Sequence, residues 1–270
     1  MEDCFPTLTP LDPGIKIVIN PDENPRYDDE FTKQAYQSGV GSVQYLASQT
    51  RPDIAEAAGL LARFNTKLNW QCWQALKHLL KYLSGTKNLG IPYRKNGALE
   101  PVTYADANWA GRDPGCHLTS GYIIMMAGAP VSWRSARQTS VSQSTTKAKY
   151  ISTSDTACEL VWLNNLLTNT GLLEKENENK NIRTVELCSK SAKEVNVDNK
   201  GVIDLAKSES IGKRSKHIEV RFHILRDLVE KNEIKLTYVD SNSNLADGLT
   251  KPLPKTPFKI FREGIGIMEV

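Results

Sequence analysis

Three aspartates stand where chemistry could be done. Asp106 closes an alternating apolar and polar run, 102–106. Asp198 follows a second apolar run in Val197-Asp198-Asn199. Asp247 sits in Asn244-Leu245-Ala246-Asp247, where a helix should open. A carboxylate where a strand meets a loop can enter a cleft while its strand stays buried. Taken singly, each is an ordinary solvated turn former. Gathered from separate elements, carboxylates are the chemistry of hard divalent cations, which take oxygen ligands. Their meaning therefore depends on the elements that carry them.

Stretch 102–133 reads as three antiparallel strands: 102–106, 121–126 and, after a turn at Gly128, 129–133. Residues 145–173 read as one long helix. Ala148, Ile151, Ala157, Leu160, Val161, Leu163 and Leu166 form its buried face, and Gly171 its C-cap. A short strand at 195–198, a helix at 200–206, a helix at 219–231, a strand at 234–239 and a closing helix from 245–250, stopped by Pro252, complete the order. The order β-β-β-α-β-α-α-β-α gives an α/β fold, a mixed sheet flanked by helices. Upstream, 31–89 reads as three amphipathic helices with stripes such as Tyr36, Val40, Val43 and Ala47, separated by Arg51-Pro52-Asp53 and ending near Gly85. Residues 1–29 read as extended, with an edge strand at 15–19.

Composition bounds the partners. The chain has 270 residues and a net charge of +3, with a pI near 8.5. That mildly basic balance is compatible with nucleic acid. The five cysteines are scattered and odd in number, without zinc-ligand spacing, which suits reduced thiols. No apolar run is long enough to span a bilayer, and no leader is recognisable. The expectation is a cytoplasmic or nuclear chain with no membrane partner.

The motifs YADANWAG, TSGY, PVSWRSARQ, STTKAKYISTS, VDNKGVIDLA, SKHIEVRFHILRDLV and NLADGLTKPL, in this order, resemble the ribonuclease H domain of copia-type retrotransposon polyproteins. The likeness runs over 99–258. Upstream, YQSGVGSVQYLASQTRPDIAEAAGLLARF and WQALKHLLKYLSGTKNLGI resemble the end of the reverse transcriptase that precedes that domain. The resemblance implies an extended segment at 1–30 and a thumb- or connection-like helical region at 31–98, packing as a distinct unit. It then implies a ribonuclease H-like domain at 99–258 with an insertion at 174–194, and a tail at 259–270. The charged run EKENENKN, 174–181, is expected to be exposed.

By this resemblance the partner is an RNA–DNA hybrid, with a reverse transcriptase core where the chain is part of a longer polyprotein. The cofactor would be Mg²⁺, acting as an ion pair that clamps the attacking water and the leaving oxygen. Asp106 would bridge both metals, Asp198 would support one and Asp247 the other. The fourth ligand would be a Glu on the long helix, in a pattern that normally reads S-T-E-A-E-Y. Here the register fixed by Tyr150 puts Lys149 at that position and Lys147 at the other acidic one. Asn108 likewise replaces an aspartate of the first motif. A charged lysine offers donors and no acceptor, so it cannot ligate Mg²⁺. Glu159, ten residues on, is badly placed to substitute.

The expectation is a hybrid-endonuclease scaffold impaired in catalysis. The alternatives are an active hybrid ribonuclease and a host-adopted non-catalytic module that binds nucleic acid or protein. Lys213, Arg214, Lys216 and Arg221, with His217, form the candidate nucleic-acid contact. Trp109 and Trp133 are candidates for stacking on bases, and Lys77, His78, Lys81 and Lys87 for a phosphate-facing helix surface.

Overall fold

The structure is a computed structural model that describes residues 4–15, 17, 30–94, 100–108, 118–138, 144–170, 192–208 and 219–270. The first helices are α1 (Glu30–Gln49), α2 (Ala55–Ala62), entered through a 3₁₀ turn at Pro52–Ile54, and α3 (Trp70–Ser84). The short strand β1 is Leu89–Gly90. Then come β2 (Val102–Asn108), β3 (Thr119–Met126), β4 (Ala129–Arg137), α4 (Thr145–Asn169), β5 (Lys193–Val197), α5 (Lys200–Lys207), α6 (Glu219–Glu230) and β6 (Ile234–Tyr238). A 3₁₀ turn at Leu245–Leu249, helix α7 (Lys255–Gly264) and strand β7 (Met268–Glu269) finish the chain.

Local chemistry sets these boundaries. Asn69, Ser144 and Asn199 each take an extended backbone, and their side chains accept the N–H of Cys72, Lys147 and Val202. Each thereby caps a helix start that would otherwise leave donors unsatisfied. Strands β3 and β4 join through Ala127 and Gly128, both with positive φ (54° and 77°). That is the two-residue hairpin whose twist suits flanking strands.

The five-stranded sheet has the order β4-β3-β2-β5-β6. The pairs β4–β3 and β3–β2 are antiparallel, and β5 runs parallel to both β2 and β6. Parallel neighbours need crossovers, and the helices supply them. One face buries Ala105, Ile124, Val195 and Val197 against Tyr150, Leu160, Val202 and Leu225 of α4–α6. This is the ribonuclease H-like mixed sheet flanked by helices.

The other face carries Ile123 and Met125. It shares a single core with Tyr36, Val40, Ile54, Leu61, Leu76 and Leu79 of α1–α3, and with Phe258 and Phe261 of α7. The helical region therefore packs on the sheet rather than as the separate unit expected. The physical reason is that an apolar sheet face needs a covering layer. The Trp133 indole N–H donates to Ala47 C=O (2.7 Å) across this joint.

Residues 259–270, expected as a tail, belong to the same layer: α7 packs into the core and β7 pairs with β1. Residues 245–249 wind as 3₁₀ rather than α-helix. Of the edge strand expected at 15–19, residues 16, 18 and 19 lie outside the described residues, and Ile15 and Ile17 are not in a strand. The N-terminal segment is docked: Leu11 is buried, and Thr7 and Thr9 bond to His78 of α3. Gly171 and the run 174–194, apart from residues 192–194, lie outside the described residues.

Candidate functional site

Asp106 is the fifth residue of the seven in β2, the central strand, and its side chain is 3 % exposed. Asp198 follows the last residue of β5, and Asp247 lies in the 3₁₀ turn after β6. Because β5 lies beside β2 and the 3₁₀ turn packs on β2 and β3, three residues distant in sequence converge. Their nearest carboxylate oxygens all lie within 4.8 Å of one another.

Small contacts hold the turn and the strand together. Asn244 accepts the N–H of Ala246 and donates from its amide to Ala105 C=O (3.0 Å). Gly121, opposite Asp106 in β3, is where the turn comes closest: an added Cβ would stand 2.8 Å from Leu249 Cβ and from Thr250 Cγ2. On the other side, Ser152 of α4 donates to Asp106 C=O (2.7 Å).

Lys149 of α4 enters this cluster. Its Nζ donates to Asp198 Oδ1 at 2.5 Å and stands 2.9 Å from Asp106 Oδ1. The first contact is an aligned hydrogen bond. The second is an ion pair of poorer alignment, and the Lys149 ammonium is the charge that faces the buried Asp106 Oδ1. Asp106 Oδ2 accepts from Thr250 Oγ1 (2.6 Å), Asp198 Oδ2 from Ser241 Oγ (2.8 Å), and Asp247 Oδ2 pairs with Lys251 Nζ (2.7 Å).

The electrostatics follow these contacts. Burial works to raise Asp106, but Lys149, the Thr250 hydroxyl and Lys251 outweigh it and hold the carboxyl below its ordinary value. Burial likewise works to lower Lys149, and Asp106 and Asp198 reverse it, so the ammonium stays firmly protonated. Asp247 goes the other way. Burial, then the neighbouring Asp106, push it up to about 6 although Lys251 opposes the shift.

Three carboxylates at this spacing are a donor set that could hold a metal ion. The Lys149 ammonium stands against two of the three. A charged lysine and a divalent cation cannot share those oxygens, so the arrangement with Lys149 in place does not fit a metal pair. Glu159 offers no substitute. It accepts from Ser132 of β4 (2.9 Å), away from the cluster.

The other expected contacts divide. Lys213, Arg214, Lys216, His217 and Trp109 lie outside the described residues. Arg221 pairs with Asp155 (3.3 Å) on α4. Trp133 and His78 are engaged in packing the layers and the N-terminal segment, so neither is turned outward for bases or phosphates. Lys77 lies over the Trp73 ring (5.9 Å). Sequence reasoning missed Ser241, Asn244, Thr250 and Lys251. Lys251, four residues after Asp247, carried a readable helical spacing signal. The hydroxyls carried none, because their partners are distant in sequence.

No family model matches the chain. It aligns over 99 % of its length, at 34 % identity, with the retrovirus-related Pol polyprotein from transposon TNT 1-94 of Nicotiana tabacum. It aligns over 98 %, at 35 % identity, with that from transposon RE1 of Arabidopsis thaliana. The alignments cover 19 % and 17 % of those polyproteins, so the chain spans about a fifth of their length. A shorter alignment, 47 % of the chain at 41 % identity, covers 90 % of the secreted RxLR effector protein 161 of Plasmopara viticola. With both Pol matches extending over nearly every residue and the sheet in ribonuclease H order, the chain belongs to the retrovirus-related Pol polyproteins of copia-type transposons.

Proposed function

We propose that the chain is the ribonuclease H-like region of a transposon polyprotein, that it engages RNA–DNA hybrids, and that it does not cleave them at a useful rate. One observation carries this reading: Lys149 Nζ sits 2.5 Å from Asp198 Oδ1 and 2.9 Å from Asp106 Oδ1. In the active arrangement Mg²⁺ would supply charge stabilisation at the attacked phosphorus, and Asp106, Asp198 and Asp247 are the residues that would hold it. Here the lysine pairs with two of those carboxylates itself and cancels one of their two charges. Losing transition-state charge stabilisation of this kind typically costs about a hundredfold or more in rate. The Pol relatives support a nucleic-acid partner, and the mildly basic charge agrees with it.

The test is reversion. Lys149→Glu, with Asn108 and Lys147 unchanged, is expected to gain calorimetric Mg²⁺ binding and at least partial cleavage of a short hybrid. The unmodified protein should show neither. Equal cleavage by the two would mean that Mg²⁺ displaces Lys149 or that another carboxylate serves. The active-ribonuclease reading would then replace this one.

A further inference from the structure

A second charged arrangement lies on the same sheet face as Asp106. Residues directly opposite one another in a sheet share a face, and faces alternate along each strand. Asp106, Gly121 and Ser135 therefore form one row, and Asn108, Thr119 and Arg137 the next row toward the loop end. This face is the one covered by α1–α3. There Arg63, the residue that caps the C-terminus of α2, reaches across and donates from Nη2 to Thr119 Oγ1 (3.0 Å).

Arg63 thus bonds to the threonine that stands opposite Arg137 in the sheet, one arginine delivered by the helical layer and the other by the neighbouring strand. The electrostatics register that proximity. Burial lowers Arg63, Glu56 raises it and Arg137 lowers it again. Glu56 is buried in α2, and among the described residues neither guanidinium is paired with a carboxylate. Two like charges on adjoining elements, with one buried acid near Arg63, make an electropositive spot. Arg137 is exposed there. From strand geometry its Cα lies roughly 12 Å from that of Asp106, two strands across and one row along.

We propose that Arg63 and Arg137 form a phosphodiester clamp for a nucleic-acid strand that passes over the carboxylate cluster. The guanidinium fork matches phosphate oxygens in a way a single ammonium does not. An anion between the two arginines relieves their mutual repulsion, which gives the binding its electrostatic drive. Thr119 fixes the Arg63 fork, so that arginine loses little freedom on binding. The clamp would make the binding surface a joint product of both layers. It is independent of the metal site, since neither arginine touches the aspartates. This inference rests on the nucleic-acid partner proposed above.

The experiment is anisotropy of a labelled RNA–DNA hybrid with the full chain over a range of NaCl concentrations. Each phosphate contact adds about one unit to the slope of log affinity against log salt. Arg137→Gln is expected to weaken binding several-fold and lower the slope by about one, and Arg63→Gln with Arg137→Gln by about two. Lys235→Gln on β6, a residue already paired with Glu194, should leave the slope unchanged. Should Arg63→Gln unfold the protein, the exposed Arg137 decides alone. A hybrid that binds with salt dependence but is indifferent to Arg137→Gln overturns the clamp and spares the nucleic-acid reading. Failure of the unmodified protein to bind at any salt overturns both. Displacement of the hybrid by inorganic phosphate at matched ionic strength would show a free-anion site and overturn the phosphodiester assignment.

Discussion

The protein holds two buried ion clusters built on opposite principles. In the helical layer, Arg51 grips Asp53 with two parallel bonds, Nε to Oδ1 (2.8 Å) and Nη2 to Oδ2 (2.7 Å). Tyr82 donates to the same Asp53 Oδ2 (2.6 Å), and two further guanidinium bonds go to Thr86 C=O and Oγ1 (3.1 and 3.0 Å). Every polar group there has a partner, and the pair ties the start of α2 to the end of α3. In the sheet, Asp106, Asp198 and Lys149 come from three elements, and Asp106 Oδ1 lacks an aligned donor. The first cluster is closed and local, because its ions are two residues apart. The second is assembled from afar, and one of its two lysine contacts is poorly aligned. A complete network rigidifies a joint, whereas an incomplete one marks a place shaped for another occupant.

Removing one partner should separate the two. Asp53→Ala leaves a buried, uncompensated Arg51 and an unpartnered Tyr82 hydroxyl. The expected loss is about 3–5 kcal/mol in urea unfolding, the range for breaking a buried pair. Added Mg²⁺ should restore none of it. A loss under about 1 kcal/mol would mean that water or a rearranged side chain satisfies Arg51, and the closed character of that cluster would be wrong.

Lys149→Met tests the open cluster. Its side chain is 18 % exposed, so the expected cost at neutral pH is smaller, about 1–3 kcal/mol. The pH response has a definite sign. In the unmodified protein Asp106 lies below its ordinary 3.8, so its contribution is present above that value and lost as pH falls through the lower folded one. Lys149 lies above its ordinary 10.5, so its contribution is present below that value and lost as pH climbs through the higher folded one. The pair therefore holds across the whole neutral range. Without the ammonium, burial pushes Asp106 up, and the variant should recover stability on acidification. Mg²⁺ should stabilise the variant and leave the unmodified protein unchanged. Thermal melts with and without Mg²⁺ read both effects. A variant indifferent to both acid and Mg²⁺ would show that Lys149 does not compensate the carboxylates.

The two clusters also differ in how far the sequence reveals them. The register of Lys149 was legible because Tyr150, Ile151 and the apolar stripe of α4 fix the helix face. The strands carrying Asp106 and Asp198 were legible through alternation. Their convergence followed from the resemblance rather than from any spacing. Arg51-Pro52-Asp53 read only as a helix break, since burial of a charged pair depends on Tyr82 and Thr86, some thirty residues downstream. The same limit hid the shared core. Amphipathic stripes on α1–α3 say that a face is buried but not against what, and Ile123 and Met125 give no hint that their cover lies upstream. The C-terminal helix escaped notice because Phe258 and Phe261 make a short stripe behind Pro252 and Pro254.

Glu56 sharpens the comparison within a single helix start. It lies three residues after Asp53 and is also buried, though less completely, but no arginine grips it. Burial, only partly offset by Arg63, pushes it up from 4.5 to about 7. A carboxyl raised in this way is neutral in the folded state where the unfolded chain is already charged. Its contribution to stability is full below 4.5, falls as pH rises toward 7 and stays lost above that. Glu56→Gln keeps the shape of the neutral form and removes the titration. The variant should match the unmodified protein near pH 4 and exceed it by about 3 kcal/mol near pH 8, as a shift of this size implies. Urea midpoints across that range measure the difference. Profiles that run parallel would mean that Arg63 pairs with Glu56 strongly enough to keep it charged. The electropositive spot at Thr119 would then be weaker than the structure indicates.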